Sequence, residues 1–97
     1  MKNYKDLKEA ILEYRNLVEK KVIAATVHTY FYLNVLEIAI ALAELYFNSN
    51  RKILDSEKYW FAGGYYFNFE FKGDPKGEEV LKLFFEMKNE LVASNAL

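Results

Sequence analysis

Apolar side chains recur at spacings of three and four through the first eighteen positions, at Tyr4, Leu7, Ile11, Tyr14 and Val18, joined by Ala10 and Leu17. Lys5, Lys8, Glu9, Glu13, Arg15, Asn16, Glu19 and Lys20 fill the other side. This is the pattern of an amphipathic helix, with Asn3 as N-cap and Asp6 three positions on as a loose capping box. Leu12 alone breaks it. It projects into the polar face between Lys8, Lys5 and Glu19, and is a candidate partner contact.

Residues 22–47 are the most apolar stretch, and Val22 to Leu36 carry no formal charge. A membrane-spanning helix needs about 20 such residues, and Glu37 and Glu44 interrupt the run too early. Asn34, Glu37, Ala41, Glu44 and Asn48 fall within an arc of about 80° on a helix. A narrow wet stripe of that kind predicts a helix covered by protein on most sides, with no membrane. The seam of the first helix can be continued through Ala25, Tyr32, Val35, Ala39, Leu42 and Tyr46. One helix from Asn3 to Asn48 would be about 68 Å long, against a radius of gyration near 13 Å for a compact domain of this size. A helical hairpin folding back near Lys20–Ile23 is therefore expected, with one long helix as the alternative. The β-branched cluster Val22, Ile23, Thr26, Val27 and Thr29 also permits a strand at the junction.

All four glycines and the single proline lie between Gly63 and Gly77. Two aromatic runs, KYWFA and YYFNFEFK, flank Gly63-Gly64, and together they read as a β-hairpin with a two-residue turn. Its alternation would put Trp60, Tyr65, Phe67, Phe69 and Phe71 on a core face, and Tyr59, Phe61 and Tyr66 on the outer one. The rival reading makes Asp55 or Ser56 the N-cap of a short helix ending at Gly63, followed by a single strand. After the loop at residues 72–77, Asp74 is an N-cap and Pro75 the first helical residue. Val80, Leu83, Phe84, Met87 and Leu91 then form the stripe of a last amphipathic helix. The fold class expected is α+β, with two N-terminal helices, a β-hairpin, and a C-terminal helix packed on one hairpin face.

At 97 residues and 11.4 kDa the chain is one domain, residues 1–97. Thirteen basic residues against fourteen acidic ones are interspersed, giving a net charge of −1. No basic stripe suggests phosphate neutralisation. There is no cysteine, which removes disulfides, thiolate metal sites and cysteine nucleophiles. No apolar signal-peptide segment opens the chain, so a cytosolic location is expected. Lys, Asn, Tyr and Phe have A/T-rich codons and dominate their classes, pointing to an AT-rich genome such as that of a virus or mobile element.

Candidate chemistry is sparse. His28 has neither a carboxylate nor a second ligand at helical spacing. Glu37 and Glu44 share a face but lack the Glu-x-x-His partner of a bundle metal site. Lys72 and Lys76 flank a helix start, yet the phosphate-loop pattern is absent and Asp74, Glu78 and Glu79 would repel an anion. No serine sits in a nucleophile-elbow sequence. The expectation is a non-enzyme with no cofactor, no metal and no catalytic residue. Aromatic residues make up 18% of the chain, more than a small core readily absorbs. Tyr59, Phe61, Tyr66 and Leu12 are accordingly the candidate partner-binding residues of a homodimeric regulator or inhibitor that occupies a partner's surface. Nucleic-acid binding through the same aromatics with Lys58 and Lys72 is the first alternative. Structural self-assembly is the second.

Overall fold

Four α-helices and a short 3-10 turn account for the ordered backbone of a computed structural model, which describes residues 3–97. The order is α1 (Asn3–Glu19), α2 (Val27–Ser49), the 3-10 turn Lys58–Phe61, α3 (Gly64–Phe71) and α4 (Pro75–Ala93). Among the described residues there is no strand. The α+β expectation is therefore corrected to all-α, and the hairpin is replaced by the 3-10 turn and α3.

The helices at the two ends of the chain follow their sequence patterns. Tyr4, Leu7, Ala10, Ile11, Tyr14 and Val18 of α1 are buried, as are Val80, Leu81, Phe84, Met87 and Leu91 of α4. Their contacts run in opposite directions along the two helices: Glu13 meets Lys76, and Asp6 and Glu9 share a groove with Lys82 and Leu83. These helices pack antiparallel. Asp74 caps α4 by accepting hydrogen bonds from the amides of Lys76 (2.9 Å) and Gly77 (3.3 Å). Asn3's side chain, and with it the proposed cap of α1, lies outside the described residues.

The junction between α1 and α2 is a tight reversal. Lys21 adopts a left-handed conformation (φ 62°). Its amide bonds to the Val18 carbonyl (3.0 Å), and the Val22 amide reaches Leu17 (2.9 Å). This is a Schellman stop built on lysine instead of glycine. Thr26 then opens α2 with a reciprocal capping box to Thr29. The chain folds back as a helical hairpin, and its radius of gyration of 13.1 Å excludes the single long rod. Tyr4 donates to Asn48 (2.9 Å), Lys8 pairs with Glu44, and Arg15 pairs with Glu37. α1 and α2 are thus antiparallel along their whole length.

Residues 58–71 coil because their buried positions demand it. Phe67 and Phe71, four apart, share one helical face and are both buried. Phe67 meets Phe84 edge-on at 5.0 Å, and Phe71 meets Tyr14 at 5.1 Å. Burial pushes the Tyr14 hydroxyl pKa up, with Glu70 and Asp74 adding to the effect. Gly63 and Gly64 supply closeness and no turn. Neither takes a positive φ. A Cβ on Gly63 would stand 3.0 Å from the Phe67 ring, and one on Gly64 2.9 Å from Phe85. Gly77 is tighter still, since its Cβ would fall 2.1 Å from the Phe71 carbonyl oxygen, where α4 crosses the end of α3.

Candidate docking face

The helical course of residues 64–71 turns three aromatics outward that alternation would divide between two faces. Tyr65, Tyr66 and Phe69 are all exposed, Phe69 to 82%. Tyr65 and Phe69 were expected on the core face with Trp60, Phe67 and Phe71; both are exposed and Trp60 is half-buried, whereas Phe67 and Phe71 are in the core. Across from α3, the first two turns of α2 contribute His28, Phe31 and Tyr32. The 3-10 turn adds Tyr59 and Trp60.

Tyr32 and Tyr66 stack at 6.4 Å with their planes 11° apart, forming a ridge between two grooves. One groove, of about 330 Å³, runs between Phe31, Tyr32, Val35, Tyr59, Trp60 and Tyr66, with Phe67 and Gly63 beneath. The other, of about 460 Å³, is bounded by His28, Tyr65, Phe69, Thr26 and Glu70 together with the ridge. Edge-to-face contacts brace the walls: Phe31 on Tyr32 (5.3 Å), Tyr59 on Trp60 (5.8 Å) and Tyr65 on Tyr66 (5.5 Å). The floor is fixed by Phe67, locked between Tyr32 and Phe84. Such a face offers large, rigid contact area at little cost in side-chain entropy.

Its electrostatics are nearly neutral. Among the described residues, no lysine or arginine lines either groove, and Glu70 is the one carboxylate. Glu70 is held near the hydroxyls of Thr26 and Thr29, each at 3.5 Å. Lys58 is engaged with Asp55 at 3.1 Å. His28 is exposed, its ring 6.4 Å from that of Tyr32. Among the described residues, no group of three His, Asp or Glu side chains is arranged to hold a metal.

The four sequence candidates separate in space. Tyr59 (76% exposed) and Tyr66 (60%) both wall the first groove. Phe61 is 1% exposed, so its expected place on an outer face is corrected: it points inward from the 3-10 turn and joins the core. Leu12, 60% exposed, lies in a different groove, between α1 and α2, with Ile11, Ile40 and Ala41. Sequence reasoning missed Phe31, Tyr32, Tyr65 and Phe69. The available signal was the i, i+4 pair Phe67 and Phe71, which on a helix leaves Tyr65, Tyr66 and Phe69 outside.

The chain matches no protein-family model, and comparison with curated proteins and with solved structures finds no significant match to either.

Proposed function

We propose that this protein is a non-enzymatic docking module that binds a partner protein through the aromatic double groove, regulating or inhibiting by occupying that partner's surface. The observation that carries the reading is the pair of aromatic-walled grooves, with Glu70 their one carboxylate among the described residues, meeting at the Tyr32–Tyr66 ridge. Monomeric surfaces rarely leave so much contiguous aromatic area bare without a use for it. Tyr and Trp anchors around preformed pockets are where interface binding energy concentrates. A partner segment carrying two apolar side chains, one for each side of the ridge, fits this geometry. The absence of lysine and arginine from both grooves among the described residues favours protein over nucleic acid, whose binding rests on phosphate neutralisation. A cytosolic setting suits a compact fold whose most apolar helix, α2, is one-third buried against the rest of the chain, although α2 is long and apolar enough to cross a membrane by length and composition.

The test is capture from the native host's extract, with wild type beside Tyr59→Ala/Tyr66→Ala as baits. Both substituted positions are exposed, so circular dichroism of the variant should match wild type. The expected result is a partner recovered by wild type alone, whose affinity changes little between about 50 and 200 mM salt. Identical recovery by both baits would overturn the reading. A steep loss of affinity with salt would instead favour a nucleic-acid ligand.

A further inference from the structure

The outward side of α2 carries a second exposed feature, which meets the first aromatic groove at Phe31 and whose Asn34 accepts a hydrogen bond from Arg15 (3.3 Å). Val27, Phe31, Asn34, Ile38, Ala41 and Leu45 are all exposed, and they follow one another at spacings of four, three, four, three and four. That is the seam of a coiled coil, drawn along the face of a helix whose opposite side (Thr29, Leu33, Leu36, Ile40 and Ala43) is buried in its own protomer. Over the eighteen-residue step from Val27 to Leu45, the drift of a straight helix from a 3.5-residue repeat is only about 20° per heptad.

We infer that this seam pairs two copies of the chain, antiparallel, about a two-fold axis opposite Leu36. The side chains decide the direction. Phe31, Ile38 and Leu45 hold one heptad position and are large. Val27, Asn34 and Ala41 hold the other and are smaller. A parallel pair would stack like on like, Phe31 on the partner's Phe31 and Ala41 on the partner's Ala41, with crowded and empty layers in alternation. Packing density in interfaces does not tolerate such voids. The antiparallel pair matches large with small: Val27 on the partner's Leu45, Phe31 on the partner's Ala41, Asn34 on the partner's Ile38. The two-fold axis repeats each layer, so the surface is self-complementary, as an isologous dimer requires.

The flank of the seam is prepared for the same approach. Antiparallel two-fold pairing brings Glu37 and Glu44 of one copy to the side occupied by those of the other. Arg15 already pairs with Glu37, and Lys8 with Glu44 at 3.1 Å, so both carboxylates are answered from α1. Leu12 lies on this flank between those two ion pairs. Covering all the exposed surface of Leu12, Tyr30, Val27, Phe31, Ile38 and Leu45 removes at most roughly 600 Å² from each copy, against the ~800 Å² that a standard interface takes from each partner.

The chain has no cysteine, so engineered thiols read the pairing directly. Light scattering across a dilution series should give a species of twice 11.4 kDa at micromolar concentration, and Ile38→Lys should return it to the monomer with an unchanged helical spectrum. Phe31→Cys mixed with Ala41→Cys should form an intermolecular disulfide under mild oxidation. Ala41→Cys alone should not, because the two copies of that residue would lie about 15 Å apart along the helices, beyond the ~7 Å that a disulfide spans. A monomeric mass for wild type, or self-linking of Ala41→Cys, would overturn the inference. So would association that appears only with lipid vesicles, which would assign the seam to a membrane surface.

Discussion

Gly77 shows how one hydrogen atom in place of a methyl group positions the docking face. Its missing side chain lets the first turn of α4 lie against the Phe71 carbonyl, and that crossing holds α3 so that Phe67 enters the core and Tyr66 stands up. Gly77→Ala places a carbon where backbone already is, and no flexible side chain can yield. It should destabilise the fold by about 3 kcal/mol, at the upper end of overpacking costs, measured by urea denaturation. Lys21 is the opposite case. It closes α1 in a left-handed conformation that favours glycine. Lys21→Gly should stabilise by about 0.5–1 kcal/mol, the strain relieved less the added unfolded-state entropy. Asn50 and Asn95, which close α2 and α4 in the same region, should gain less, because asparagine tolerates it better.

At the level of elements, α1 and α4 were legible because each has a clearly polar half, so the three-and-four spacing of its apolar residues stands out. Asp74 and Pro75 marked the start of α4 for the same kind of local reason. The segment from Lys58 to Phe71 was not legible. Its aromatics have strand propensity, its glycine pair imitates a hairpin turn, and nearly every residue is apolar, so alternation and helical spacing fit equally well. The decision is tertiary. Phe67 needs Phe84, and Phe71 needs Tyr14, and only a helix turns both the same way while Gly63 and Gly64 close the gap to the rings of Phe67 and Phe85. A paired substitution separates the two conformations. Phe69→Asp should change stability by no more than about 0.5 kcal/mol, as an exposed position does, whereas Phe67→Ala should cost about 3–5 kcal/mol. In a hairpin the two residues would share a face and respond alike. The docking face inherits the same limit: Tyr59 and Tyr66 could be named from the aromatic excess, but Phe31 and Tyr32 join them only through the way α2 lies across α3.

For the molecule as a whole, surface ion pairs tie the elements together at their margins and contribute little each. The Arg51–Glu57 pair fastens the connection after α2. Glu57 also accepts from the Leu54 amide at 2.9 Å. The Arg51 hydrogen bond, then that amide, hold the Glu57 carboxyl below its ordinary 4.5. A pKa lower in the folded than in the unfolded chain means the stabilisation is present above pH 4.5 and is lost as pH falls through the folded value. Wild type should therefore lose more stability on acidification below pH 4.5 than Glu57→Gln does, read from denaturation midpoints on both sides of that pH. An equal loss in the two proteins would remove this clamp from the account.

Docking through the aromatic double groove is the claim on which the functional reading depends, and residue-resolved NMR of the isotopically labelled protein titrated with its captured partner tests it most directly. The account predicts that the largest shift changes cluster at Tyr32, Tyr59, Trp60, Tyr65, Tyr66 and Phe69, with α4's outer face unaffected. Changes concentrated along α4, or around Leu12 and the lysines of α1 with the aromatic residues unmoved, would contradict it.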